Sequence, residues 1–248
     1  MEEKIPVIIP LGCGSTHHNE ELRMLIRSME RNAVGLGEVF LVTTFCPSWI
    51  DQSKVVVVPI PDKYPDCKDG CIFHKIHETL RLHLEIGRFV FSADDNVFCK
   101  PIELDGIPRI RNHRPNGVFQ GPGKTKWQRR VARTLEWAKS VGAELPNNLE
   151  SHCPQLFDGN LIRERMDDFQ YYPDDTNGKT ITTTWAVMTD SWRNTVDQRN
   201  WKETHEMPCT AKDVMFDKPF MSYNDIGFSC IREELFRRFH EPSRYERI

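Results

Sequence analysis

Two adjacent carboxylates, Asp94 and Asp95, end the apolar run Phe89-Val90-Phe91-Ser92-Ala93, and Asn96-Val97-Phe98 follows directly. A short apolar run bounded by polar residues reads as a buried strand. Carboxylates do not sit in an apolar core unless they are paired or hold a metal. The acids therefore belong where the strand emerges. In open α/β sheets that carboxyl end is where ligands bind. Paired hard oxygens there suit Mg²⁺ or Mn²⁺, whose other ligands are commonly substrate phosphates. The competing reading is a solvated Asp-Asp-Asn turn, because the same residue types are ordinary turn formers.

A glycine pair offers a second place for an anion. Ile5 to Leu11 reads as a first strand buried on both faces, and Gly12-Cys13-Gly14-Ser15 follows it. Glycine lets backbone N–H groups approach a phosphate. A tight turn explains a lone Gly-x-Gly equally well. His74 and Lys75 stand on a segment with Ile76, Leu80 and Leu84 at helical spacing. His74 is a candidate substrate contact there.

The elements that must carry these groups alternate. Residues 19–30 show Leu22, Leu25, Ile26 and Met29 at helical spacing, with Asn19 as the expected N-cap and Glu20 and Glu21 favouring the helix dipole. Glu38 to Thr44 and Val55 to Pro59 read as strands, Ile72 to Leu84 as a helix. That order predicts an α/β fold with a mostly parallel central sheet flanked by helices. Residues 105–126 read as a strand pair with long turns or a flap, and a helix is expected from Trp127 to Val141. Residues 105–145 as a whole form a possible flap or subdomain within a single domain spanning 1–248. Later expectations are a short helix from Leu161 to Met166 and a loop from Pro173 to Lys179. Thr180 to Met188 is read as a strand from its β-branched residues. A strand from Phe220 to Asp225 and a helix from Cys230 to Phe239 complete the set.

Composition narrows the function classes. The chain has 248 residues, 33 Lys and Arg against 36 Asp and Glu, and a net charge of -3. Nothing global forces a nucleic-acid partner, although the basic stretch 109–133 leaves a local patch open. No apolar run is long enough to span a bilayer. The charged start, Met1-Glu2-Glu3-Lys4, lacks a signal-peptide pattern. Eight scattered cysteines without a C-x-x-C pair read as reduced. The expected location is cytoplasmic, with no obligate protein partner.

Four stretches in order resemble the Stealth family of sugar-phosphate transferases, which includes capsular polysaccharide phosphotransferases and the lysosomal-enzyme GlcNAc-1-phosphotransferase. NEELRMLIRSMERNA with EVFLVTTFCPSWI is similar to its NEELRYSLRSIEK-type block. FVFSADDNVF resembles FIYFNDDVF, and SHCPQLFD resembles the block around AHMPH. FMSYNDIG with FHEPSRYE resembles its closing Asn-Asp and PSxFE blocks. The four span roughly nine-tenths of the chain.

The resemblance implies a glycosyltransferase-A-like core that binds a nucleotide sugar, typically a UDP-sugar, with a divalent cation. It puts Asp94 and Asp95 at the metal and diphosphate, and Asn19 and Arg23 in the donor-contacting block. It puts His152 at the family's functional histidine, and Asn224 and Asp225 at its closing Asn-Asp. His152, Asp95 and Asp225 then become catalytic candidates, and Arg23, Lys75 and Lys179 candidates to hold phosphates. The chain departs from the family at its opening, IPVIIPLGCGSTHH, and carries Lys179 as the only basic residue of NGKTITTTWAV. Glycosyl transfer and sugar-phosphate transfer both stay open. The acceptor is a glycan or a hydroxymethylated pyrimidine in phage DNA. The alternative is a non-catalytic glycan- or nucleotide-binding protein on the same fold.

Overall fold

The strand Ile5–Pro10 (β1) is apolar on both sides. Val7 and Ile9 belong to one core cluster and Ile8 to another, and all three are fully buried. A strand with two buried faces needs cover on each, and helices supply it. The computed structural model describes residues 4–64, 67–119, 121–165, 178–210 and 214–247.

After β1 come helix α1 (Glu20–Asn32) and strands β2 (Ala33–Val34), β3 (Leu36–Val42) and β4 (Val56–Val58). Helix α2 (Lys68–Leu82) leads to β5 (Arg88–Phe91), β6 (Asn96–Phe98), β7 (Ile102–Glu103) and β8 (Arg109–Arg111). Helix α3 (Lys126–Ser140), β9 (Gln155–Asp158), α4 (Gly159–Arg165) and α5 (Ile181–Met188) follow. The chain ends with β10 (Thr195–Asp197), β11 (Lys202–His205), β12 (Phe220–Tyr223) and α6 (Asp225–Arg238).

The result is a mixed α/β fold with a largely parallel central sheet flanked by helices, as the alternation of elements predicts. The sheet runs β4-β3-β1-β5-β9. Its first four strands are parallel, and β9 is antiparallel to β5 with Phe91 opposite Gln155. On one face Leu22, Leu25, Ile26 and Met29 of α1 join the cluster of Val7 and Ile9. On the other, Phe73, Ile76 and Leu80 of α2 join Ile8, Phe40 and Phe89 around Trp185 of α5. A smaller sheet, β11-β12-β6, packs with α6 in a third cluster that also takes Met24 of α1.

Strand order fixes where a ligand can enter. The chain leaves β1 toward β3 and β4, then returns to β5 on the opposite side of β1. Loops at the carboxyl ends of β1 and β5 therefore diverge and leave a crevice, the switch point at which α/β sheets bind ligands.

Several expected elements differ. Residues 181–188 form a helix, not a strand. Every residue of α5 except Val187 is buried, so no amphipathic stripe marks it, and packing overrides β-branched propensity. Two of its three threonines find partners: Thr182 Oγ1 donates to the Leu149 carbonyl, and Thr183 Oγ1 accepts the Leu149 N–H. The strand expected through Asp225 stops at Tyr223, and α6 begins there instead of near Cys230. Asn224 is its N-cap, accepting the Gly227 N–H at 2.9 Å. Asn19 precedes α1 in a left-handed conformation, φ 59°, and its side chain makes no cap bond. Among the described residues, 105–126 hold no internal strand pair; β8 pairs in parallel with the distant β10. Phe119, Val131 and Leu135 form a small separate core there. The loop expected at 173–179 falls outside the described residues except for its last two. No helix among the described residues is long and apolar enough to cross a membrane.

The C-terminal tail closes onto α1 through one buried ion pair. Arg27 donates from Nε to Glu246 Oε1 at 2.7 Å and from a terminal nitrogen to Oε2 at 2.8 Å. The two side chains are 9% and 6% exposed. Removing one partner leaves the other charge buried alone, at a cost of about 3–5 kcal/mol. Glu246→Ala is expected to lower urea-unfolding stability by about 3 kcal/mol. A loss below about 0.5 kcal/mol, the range of ordinary surface substitutions, would contradict this role.

Candidate functional site

At the crevice lies a cavity of about 410 Å³, inside the range of about 300–1,000 Å³ typical of ligand sites. Of the residues singled out by sequence, it brings together Gly12, Gly14, Lys75, Asp94, Asp95, Asn224 and Asp225. These come from four distant stretches of chain. Glu21, Lys68 and Tyr223 line the same cavity.

The glycine loop leaves β1 after Leu11. Lys75 fastens its start: Nζ donates to the Leu11 carbonyl at 2.8 Å and pairs with Asp62 at 2.7 Å. Lys75 is 3% exposed, so it shapes the loop from beneath. The fold itself does not require glycine at 12 or 14. Neither has a left-handed φ, and an added Cβ would meet nothing within 4 Å. What glycine leaves open at both positions is cavity space.

Asp94 and Asp95 follow β5 in a turn whose base is buried Ser92 and Asn96. Burial, then the charge of Asp95, pushes the Asp94 carboxyl up to about 6, with Lys68 opposing. Burial acts the same way on Asp95, but the charge and hydrogen bond of His152 outweigh it and hold Asp95 low. His152 Nε2 lies 2.8 Å from Asp95 Oδ1. One oxygen of Asp95 is thus engaged and the other remains. Two neighbouring carboxylates with opposed shifts are a recurrent mark of functional sites.

His152 reaches Asp95 from a left-handed backbone, φ 53°. That conformation is uncommon for a non-glycine residue and persists where surroundings over-determine it. Here Asn96 Nδ2 and Lys202 Nζ both donate to the His152 carbonyl, each at 3.4 Å. Lys202 is 6% exposed, and burial lowers its ammonium from the usual range. The imidazole itself is not in the cavity wall and touches the site through Asp95.

Asn224 uses both ends of its amide inside the fold. Its oxygen caps α6, and its Nδ2 donates to the Glu206 carbonyl at 3.1 Å. It positions Asp225, whose carboxylate faces the cavity. Gly227 is required next to it, because a Cβ there would lie 1.8 Å from the His205 carbonyl oxygen.

Four expected residues besides His152 lie outside the cavity wall. Arg23 stacks over Trp49 at 4.5 Å and pairs with Glu246 at 3.3 Å. Lys179 lies 5.4 Å from the centre of the Trp137 ring. His74 packs edge-on against Tyr64, and burial lowers its pKa. Asn19 donates its N–H to Ser15 Oγ at 2.9 Å. The basic stretch is also thinned: Arg109 stacks on Phe157 at 4.0 Å and Arg130 pairs with Asp69 at 2.9 Å. Lys68 was legible in principle, standing seven residues before Lys75 and thus two turns away on the same helix face. Glu21 and Tyr223 carried no such signal.

No known family model matches the chain, and no curated protein sequence matches it either.

The glycine loop gives a direct test. If the loop cradles an anion, Gly14→Val leaves the thermal midpoint within about 2 °C, because its Cβ meets nothing, and weakens binding of a nucleoside diphosphate by calorimetry at least about tenfold. A lower midpoint with unchanged binding would return Gly14 to the role of a plain turn.

Proposed function

We propose that this protein is a divalent-cation-dependent transferase acting on a nucleotide sugar, on a glycosyltransferase-A-like core of the kind the Stealth resemblance implies. The observation that carries this reading is the convergence of Gly12, Gly14, Asp94, Asp95 and Asp225 on one cavity at the sheet's switch point.

The donor's diphosphate is the group with the most demanding chemistry, since charge grows on it as the bond breaks. Asp94 and Asp95 would hold a divalent cation, which would supply the positive charge that offsets the leaving diphosphate. The two acids suit it: both are partly buried oxygen donors, and among the described residues the one side chain paired with them is the His152 imidazole. Backbone N–H groups of the Gly12–Ser15 loop and the ammonium of Lys68 face the same space and hold the phosphates from the other side. Such preorganised donors are typically worth about 10²–10³ in rate each.

His152 takes the proton of the acceptor hydroxyl. Its Nε2 is committed to Asp95, so the proton resides on Nε2 and the lone pair on Nδ1. Lys202 and Asn96 hold the backbone that aims the imidazole. The acceptor is a glycan or a hydroxymethylated pyrimidine in DNA. With Arg109 and Arg130 tied into the fold, a DNA acceptor would depend on the exposed face of α3, where Lys126, Arg129 and Arg133 stand.

The test is incubation with UDP-sugars and Mn²⁺ or Mg²⁺, with products read by mass. UDP release assigns glycosyl transfer, and UMP release assigns sugar-phosphate transfer. Asp95→Asn is expected to cut turnover at least about 100-fold in a chain that stays folded. No nucleotide release with any donor, together with unchanged donor binding in Asp95→Ala, would leave a non-catalytic binding protein. Replacing Lys126, Arg129 and Arg133 by alanine should lower DNA affinity and its salt slope if DNA is the acceptor; an unchanged slope removes DNA.

A further inference from the structure

We propose that His17, Glu21 and Asp225 form a second divalent-cation site, one that takes Mn²⁺ in preference to Mg²⁺. One donor atom from each of the three lies within 4.8 Å of the other two. Three points that close share a centre about 2.8 Å or less from each, within about 0.7 Å of a metal–nitrogen or metal–oxygen bond. Small side-chain rotations close that gap.

The local structure holds the three donors in place. Ser15 Oγ accepts the N–H of His17 at 3.2 Å and of Asn19 at 2.9 Å, and donates to Glu21 Oε2 at 3.0 Å. His18 and Asn19 turn the chain through two consecutive left-handed residues, φ 55° and 59°. His17 is thereby folded back beside the first turn of α1, where Glu21 stands. Asp225 arrives from the first turn of α6, fixed by the Asn224 cap. The His17 ring rests edge-on against Phe228 of the same helix, 5.0 Å between centres.

Two further observations point to something bound here. His17 Nε2 is shielded from solvent and has no hydrogen-bond partner among the described residues. Tyr223, 2% exposed, lines the cavity shared by Glu21 and Asp225, and its hydroxyl also lacks a partner among the described residues. A polar atom shielded from water without a partner is costly, and a ligand bound among these residues would relieve it. Neither Glu21 nor Asp225 has a cationic side-chain partner among the described residues.

The donor set decides the metal. Mg²⁺ favours all-oxygen shells and keeps its waters, whereas an imidazole nitrogen with two carboxylates suits Mn²⁺ and the later divalent ions. This site does not depend on the transferase reading, because the ion need only bind.

The test uses the full chain, Mn²⁺ alone, and electron paramagnetic resonance that detects a coordinated ¹⁴N. Bound Mn²⁺ is expected to show nitrogen coupling that His17→Ala abolishes and Asp95→Asn retains. Asp225→Asn, at an exposed position, should weaken this Mn²⁺ at least tenfold without unfolding the chain. His17→Ala should also narrow the preference for Mn²⁺ over Mg²⁺. Coupling that survives His17→Ala, or that disappears with Asp95→Asn while persisting in Asp225→Asn, overturns the assignment. So does a folded chain whose bound Mn²⁺ shows no nitrogen coupling.

Discussion

Everything in this fold follows from a central strand that is apolar on both faces. β1 cannot lie at an edge or on a solvated surface without exposing Val7, Ile8 or Ile9. It therefore takes parallel neighbours on both sides and a helical layer above and below. Because its neighbours are β3 and β5, the chain must reverse direction around it. The loops that leave β1 and β5 then part company at their carboxyl ends. The cavity is the geometric consequence of burying six residues twice over, and the polar residues of those two loops have nowhere else to face.

Helix α1 makes the second constraint. It serves two packing partners at once, with Leu22 and Ile26 toward the central sheet and Met24 toward the smaller one. Ser28 Oγ accepts the Phe98 N–H at 3.1 Å, and Asn32 Nδ2 donates to the Phe98 carbonyl at 2.5 Å. Those two polar groups, one turn apart, satisfy the backbone of β6 where no strand does. They also fix how far the turn at Asp94 and Asp95 stands from α1. The Arg27–Glu246 pair locks the same helix from outside. Glu21 and the acid pair thus sit on elements that cannot shift independently.

What the sequence disclosed and what it hid divide along physical lines. β1, α1, β3, β4 and α2 were legible because each shows its own period or a β-branched run. The acid pair was legible because charge at the end of an apolar run has few explanations. β9, β10 and β11 were not, since three or four residues of mixed polarity carry no period. α5 was misread because a helix buried on every side has no polar face to betray it. The left-handed residues His18, Asn19 and His152 were invisible for a different reason. Their conformation is imposed by Ser15, Asn96 and Lys202, which no local spacing connects to them. For the same reason Arg23 and Lys179 looked available for phosphate, while the folded chain gives each an aromatic ring instead.

The charge balance of the cavity argues for cations on its own terms. Five carboxylates line it, those of Glu21, Asp62, Asp94, Asp95 and Asp225, against the two ammonium groups of Lys68 and Lys75. The Lys75–Asp62 pair cancels internally, leaving four carboxylates facing one lysine. An anionic nucleotide entering that space alone would meet repulsion from every wall but one, in surroundings where charges are poorly screened. Burial already raises the Asp94 carboxyl to about 6, the response of a group whose charge lacks compensation. On the transferase reading proposed above, a phosphate would enter such a cavity only with a cation to offset these carboxylates.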